Sequence, residues 1–281
     1  MSDPYINPDK LDAEVISAII TRLEERANHP KFQELYLPYI DNIVASKPTA
    51  VLEIGCGTGP IIRQLECKLT KHPTTYQTKT QIHACDISQQ FLSQAQTLAA
   101  KDSCIQWQLY QPQQALPYDD EQFDWIIMHT LLGHLPDPCA MLEQASQLLK
   151  PDGKIIIFDT DFLSSTFAYH NVEKGRIIDY KLMTSIAQNP DICRKLPQYI
   201  EKTGLQIIEN YSANLSEVGQ GDFWLSSVHG LAKLITSLNI LEENEAQDWL
   251  NYQLQAHKQG HFFASTNYYT FTLSHKNKGL N

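Results

Sequence analysis

The stretch "VLEIGCGTGP", Val51 to Pro60, constrains the fold more than any other part of the chain. A short apolar run is followed by glycines at 55, 57 and 59, then by a proline. The pattern predicts a buried strand over "AVLEIG" and a helix over "GPIIRQLECKL", with Pro60 near its first turn. Two phosphate-binding turns are excluded by spacing. A Walker loop needs G-x-x-x-x-G-K-[ST], but Gly55 and Gly59 are one position too close and no lysine follows. The dinucleotide fingerprint G-x-G-x-x-G accepts Gly55 and Gly57 but would place its third glycine at Pro60.

Strand and helix keep alternating. "QIHACDI" reads as a second strand, and "SQQFLSQAQTLAAK" as a helix with Ser88 as N-cap. "IQWQLY" and "FDWIIMH" are third and fourth strands, and "PCAMLEQASQLLK" is an amphipathic helix. "PDG" reads as a turn and "KIIIFDTD" as a fifth strand. The expected fold class is α/β: a doubly wound, mostly parallel Rossmann-like sheet with helices on both faces. Ahead of it, residues 11 to 45 read as helical, with Leu11, Val15, Ile19 and Leu23 at helical spacing. Pro30 and Pro38 should break this into two or three short helices. The polar "TKHPTTYQTKT" reads as an exposed loop. Beyond residue 160 the pattern weakens to short helices, then to the alternating aromatic stretch "HFFASTNYYTFTLSHK", a late strand or hairpin.

Charge and cysteine usage narrow the partners. A net charge of −10 repels phosphate backbones, so no nucleic acid partner is expected. No apolar run approaches the roughly 18 residues of a membrane span, and the polar start "MSDPYINPDK" does not read as a signal peptide. The six cysteines contain no C-x-x-C pair, so no metal site is expected. They read as reduced thiols of a cytoplasmic protein.

In open α/β sheets ligands bind outside the carboxyl ends of the strands. Glu53, Asp86, His129 and Asp159 fall at or near those ends. The spacing E-x-G-x-G-x-G is similar to the first motif of class I S-adenosylmethionine-dependent methyltransferases. "ALPYDDEQFDWIIMH" resembles that family's A-L-P-F-x-D-x-x-F-D run, and "HLPDPCAMLEQASQLLKPDGKIII" its H-x-x-D-P…L-K-P-G-G block. Together the blocks span roughly Ala50 to Asp159 and resemble the ubiquinone/menaquinone biosynthesis group of small-molecule methyltransferases.

The resemblance implies S-adenosylmethionine as cofactor. It implies cofactor contacts at Glu53, Gly55, Cys56, Gly57 and Gly59, at Asp86 through the ribose hydroxyls, and at Ile87 and His129. "QPQ" stands where the family has G-D-A, so Pro112 replaces the aspartate that receives the adenine amino group. Gln111 or Gln113 would supply an amide oxygen instead. The expected organisation is an N-terminal helical lid over 1–48, a cofactor core over 49–160, and a substrate lobe completing the sheet over 161–281. His129 reads as a catalytic or positioning residue, and Asp161 as a catalytic group that either holds a substrate amine or hydroxyl or caps a turn. Tyr5, Tyr169, Arg176, Trp224, Phe263 and Tyr268 are the candidate acceptor-side residues; Arg176 reads equally as a surface charge. The implied activity is in-line transfer of a methyl group to oxygen, nitrogen or carbon of a partly aromatic or apolar small molecule. A base is needed only if the acceptor arrives protonated. The alternative, motivated by Pro112, is a non-catalytic ligand- or partner-binding protein on the same fold. A homodimer is compatible with either.

Overall fold

The computed structural model describes residues 3, 5–71, 80–112, 114–237 and 240–276. Its strands are β1 (Ala50–Ile54), β2 (Gln81–Asp86), β3 (Gln106–Leu109), β4 (Phe123–His129), β5 (Leu149–Phe167), β6 (Leu205–Gly219) and β7 (Phe262–His275). They form one seven-stranded sheet in the order β3-β2-β1-β4-β5-β7-β6. β1 pairs in parallel with β2 and β4, β2 with β3, and β4 with β5. β7 lies antiparallel between β5 and β6. The sheet is thus the mostly parallel, doubly wound one that the alternation of elements implies, with a single reversed strand near one edge.

Because successive strand residues point to opposite faces, the sheet divides its apolar side chains between two cores. Leu52 and Ile54 of β1, Ile126 and Met128 of β4, and Ile155 and Ile157 of β5 pack under helices α5 (Pro138–Leu148) and α7 (Ile192–Lys202). Val51, Trp125, Ile127, Ile156 and Phe158 face the other way. They meet α2 (Pro30–Ala45), α3 (Pro60–Lys71) and α4 (Gln89–Leu98). Ahead of α2 lies α1 (Ala13–Asn28). Residues buried on both faces explain why these strands read as continuous apolar runs.

Two sequence expectations are adjusted. Pro38 does not end a helix: it sits inside the 16-residue α2, so the N-terminal region is two long helices. β5 does not start after the Pro151-Asp152-Gly153 turn but at Leu149, with its register against β4 shifting between Phe123 and Trp125. Of the segment expected as an exposed loop, Thr70 and Lys71 end α3, and residues 72–79 lie outside the described residues.

β5, β6 and β7 continue well past the shorter strands and carry a second lobe. It contains α6 (Val172–Ile186), α8 (Leu225–Ser237) and α9 (Glu243–Gln259). Its separate core gathers Phe167, Ile178, Leu182, Val228, Ile235, Phe262 and the fully buried Trp249. The Trp249 ring stands edge-on to Phe167 at 5.6 Å. Its indole N–H finds no acceptor among the described residues. Trp249→Ala should therefore cost about 3–5 kcal/mol by opening a cavity. Trp249→Phe should cost less than about 1.5 kcal/mol, since no hydrogen bond is lost with the indole. Denaturant unfolding of the two variants checks the difference.

Candidate active site

The glycine turn is held by backbone bonds that leave no room for ordinary residues. Gly55, Gly57 and Gly59 have φ of +70°, +55° and +74°. The N–H groups of Gly55 and Cys56 both donate to the Cys85 carbonyl, at 2.8 and 3.0 Å, which ties the turn to the end of β2. A Cβ on Gly55 would fall 2.5 Å from Leu131, and one on Gly59 2.5 Å from the Trp107 ring. The turn's alternate spacing is thus a conformational requirement at each position.

Two buried carboxyls complete it. Asp86, ending β2, accepts the Gly57 N–H at 2.7 Å and the Ser88 N–H at 2.9 Å. Burial lifts its pKa to about 6, against the opposing pull of the Ser88, Gly57 and Ile87 N–H groups. Glu53 accepts the Ile62 N–H at 3.0 Å, in the first turn of α3. Burial lifts its pKa to about 8, again opposed by that N–H. Glu53 therefore supports the glycine turn by capping the helix behind it.

The turn opens on a cavity of about 280 Å³ at the carboxyl ends of the strands. Its wall includes Glu53, Gly55, Cys56, Gly57, Asp86, Ile87 and His129. Gly59 is absent from that wall; its backbone serves the packing of Trp107 on the turn. Gln111 is exposed and outside the wall, where Pro112 and Tyr110 stand instead. Gln113 lies outside the described residues. The Cys56 thiol is pushed well up by burial and is not a nucleophile.

The rest of the wall comes from the N-terminal segment, α1, the start of α3, the loop of residues 130–136 after β4 and the start of α5. Tyr5, Ile6 and Asn7 line it, with Leu23, Arg26 and Ala27 of α1. This segment is fastened on both sides. Asp3 pairs with His134 at 2.7 Å, and the Tyr5 ring lies 4.6 Å from that imidazole. Asp9 accepts from the Ser88 hydroxyl and, at 2.9 Å, from the Gln89 N–H at the start of α4. Glu24 of α1 takes the Thr58 hydroxyl at 2.6 Å and Arg63 through both oxygens at 2.7 Å, pinning α1 to the glycine turn.

His129 ends β4. Its ring stacks on Phe158 at 4.6 Å, and its Nδ1 lies 2.7 Å from the Tyr39 hydroxyl. Burial and the nearby Arg26 hold its pKa well below the usual histidine value, so the ring is neutral. Thr130 follows in a left-handed conformation, φ +50°, unusual for a β-branched residue. Arg26 donates to its hydroxyl at 3.0 Å.

The expected acceptor-side residues are not gathered here. Of the six, only Tyr5 lines the cavity. Tyr169 is buried against Tyr252 in the second lobe. Arg176 and Phe263 are exposed, Trp224 packs between the two lobes' cores, and Tyr268 stacks behind Phe158 at 5.4 Å. Asp161 is held by Arg194 in a bidentate pair, with contacts of 2.9 to 3.2 Å, away from the cavity wall. Its carboxylate is committed to a structural ion pair. Sequence reasoning missed Leu23, Arg26, Tyr39, Asp9 and Thr130. A signal existed for Arg26: it borders the Leu23–Ala27 face, a charge beside an apolar helical stripe.

Likenesses to known proteins centre on this core. Residues 52–155 match the family model described as a methyltransferase domain. A ubiquinone biosynthesis O-methyltransferase of Coxiella burnetii is 33% identical over 124 residues, 42% of this chain and 47% of that protein. The same-named protein of Neisseria meningitidis is 24% identical over 166 residues, 57% of this chain and 66% of that protein. The chain thus spans less than two thirds of the length of these curated relatives. Among solved structures, a protein described as a candidate methyltransferase of Bacillus halodurans C-125 covers 85% of this chain and 97% of its own, at TM-score 0.57 and 13% identity. SpnF, described as a [4+2]-cyclase, covers 98% of both chains at TM-score 0.55 and 14% identity. These likenesses establish the fold.

Two outcomes test the turn. Gly59→Ala should cost about 2–4 kcal/mol of stability, from its left-handed φ and the close Trp107 ring, as read by thermal unfolding without ligand. Glu53→Gln should change how stability varies with pH. A carboxyl raised from 4.5 to about 8 contributes stability fully present below 4.5 and lost as pH rises through 8. Glutamine can still accept the Ile62 N–H but cannot ionise. The variant should therefore melt above the wild type by a margin that opens from pH 4.5 and stops growing above 8. A constant difference would contradict the assignment.

Proposed function

We propose that the protein transfers the methyl group of S-adenosylmethionine to a partly aromatic or apolar small molecule in cytoplasmic metabolism. The observation that carries this is Asp86, a buried carboxylate at the end of β2 that braces the glycine turn while lining the cavity. Each of its oxygens spends one lone pair on a backbone N–H, so further acceptor capacity remains for ribose hydroxyls. Glycines at 55 and 57 let a ligand approach the backbone, and Ile87, Tyr110 and Pro112 offer a flat, largely apolar flank. The residues present fit the cofactor. When bound, it supplies a methyl group already activated on a sulfonium. The chain's own task is to hold the partners in line and exclude water. The segment Tyr5–Asn7, tied down through Asp3 and Asp9, covers the cavity as a lid would.

A second reading, a ligand- or partner-binding protein on this fold, is favoured by Pro112, whose side chain offers no acceptor for an adenine amino group. A homodimer is compatible with both readings. Calorimetry with S-adenosylhomocysteine tests the first. Saturable binding on the order of −8 kcal/mol is expected at neutral pH. Hydroxyl donors require an ionised Asp86, whose pKa is about 6. Affinity should therefore hold above pH 6 and fall below it, approaching about tenfold per pH unit. No heat at any pH, or an Asp86→Ala variant that binds like the wild type, would overturn the placement.

A further inference from the structure

The hydrogen bond between Tyr39 and His129 fixes more than ring orientation. Tyr39 is 1% exposed and His129 7%. The hydroxyl reaches Nδ1 at 2.7 Å and has no second partner among the described residues. A buried phenolic O–H without an acceptor is costly, and the only acceptor it meets among the described residues is Nδ1. The hydroxyl therefore donates, Nδ1 uses its lone pair to accept, and the imidazole proton resides on Nε2. Facing the ring are Arg26 from α1, Phe32, Tyr36 and Tyr39 from α2, and Phe158 from β5. Glu53 of the adjacent β1 lies on the same face and lines the same cavity, but its carboxyl is held by the Ile62 N–H and burial lifts its pKa to about 8; no other carboxylate contacts the ring among the described residues. A neutral ring already protonated on Nε2 cannot take a proton there. It can only donate.

Arg26 offers the same polarity. Its guanidinium lines the same cavity and spends one N–H on Thr130, while its buried Nε has no partner. No carboxylate among the described residues pairs with it or with Arg22, one turn earlier, which lies 4.9 Å over the Phe223 ring. The acids around the cavity have other partners: Glu24 has Arg63, Glu53 the Ile62 N–H, Asp86 the Gly57 and Ser88 N–H groups, Asp137 the Ala140 N–H, Asp159 the Gly133 and Thr160 N–H groups, and Asp161 Arg194. In a chain of net charge −10, a half-buried cation lacking a carboxylate partner at a cavity is an opening for an anion.

The geometry points to an acceptor that enters as an anion, its phenolate-type oxygen held by the His129 Nε2–H and the Arg26 guanidinium and methylated without a general base. The reaction rests on the methyl-transfer reading above; the hydrogen-bond geometry does not. The anionic oxygen forms the new C–O bond with its own electron pair while the C–S bond breaks onto sulfur. Anion and sulfonium become neutral ether and thioether, and no proton remains to be removed. Tyr39 acts as a positioning residue, since it touches only His129.

Two measurements on the full chain test this. The first is nitrogen NMR of protein labelled with ¹⁵N-histidine, the His129 signals being those lost in His129→Gln. The Nε2-protonated tautomer is expected, unchanged from pH 6 to 9, and Tyr39→Phe should release it into a tautomer mixture. An Nδ1-protonated ring, or one that titrates in that range in the wild type, overturns the inference whatever the variants do. The second uses 4-nitrophenol, whose phenolate is coloured, with and without saturating S-adenosylhomocysteine. The bound probe should appear as phenolate about one pH unit below its own pKa in both conditions, and Arg26→Gln should weaken it by about tenfold or more. Three results overturn the inference: binding as the neutral phenol, no binding at millimolar probe, or displacement by S-adenosylhomocysteine. The last would assign Arg26 to the cofactor's carboxylate. If instead S-adenosylhomocysteine fails to bind while the phenolate and tautomer results stand, the methyl-transfer reading fails and the anion site remains.

Discussion

The site depends on two carboxyls buried where carboxyls are costly. Glu53 and Asp86 end adjacent parallel strands, and each is spent on backbone N–H groups of the glycine turn or the helix it starts. Such bonds satisfy donors that a helix N-terminus and a sharp turn would otherwise leave open. The raised pKa values of both groups show that burial outweighs those bonds for the charged forms. A turn built this way arrives at the cavity already ordered, so a ligand does not have to organise it.

On that floor the N-terminal segment builds the roof. α1 is held by the Glu24 links to Thr58 and Arg63, and the segment before it by Asp3 and Asp9. Each link joins residues far apart in the chain, so the closed arrangement is a tertiary property. The second lobe, by contrast, spends its aromatics on itself. Tyr169, Trp249 and Phe262 fill its core, and β7 alternates buried and partly exposed positions along its outer half, as a half-covered strand does. The sequence-based expectation that this lobe lines the acceptor pocket fails because an aromatic-rich region with weak periodicity reads the same whether it fills a core or a pocket.

What could be read from the sequence was local. The alternate glycines, the acid closing β2 and the strand–helix alternation are each set within a few residues, and fold, turn and Asp86 followed from them. Arg26 with Thr130, Tyr39 with His129, and Asp9 with Ser88 are joined across 104, 90 and 79 residues. No periodicity encodes such pairings. Asp161 illustrates the converse. Its place at the end of the expected fifth strand suggested chemistry, yet Arg194, 33 residues on, claims both oxygens.

His129 shows how the sheet itself supplies precision. In the parallel register of β4 and β5, His129 stands opposite Phe158, and the two rings stack at an interplanar angle of 13°. Phe158 stacks in turn on Tyr268 of β7 at 12°. A slip of one residue in any of these strands would turn its rings to the other face. The long antiparallel pairing of β7 with both β5 and β6 makes such a slip costly, since it would break bonds along most of the strand. Immediately beyond, Thr130 takes a left-handed turn that costs roughly 1–2 kcal/mol. A charge-assisted bond such as that from Arg26 contributes about 1.5–3 kcal/mol, enough to offset it. Arg26 thus offsets the strain at Thr130 from a helix that Glu24 holds to the glycine turn.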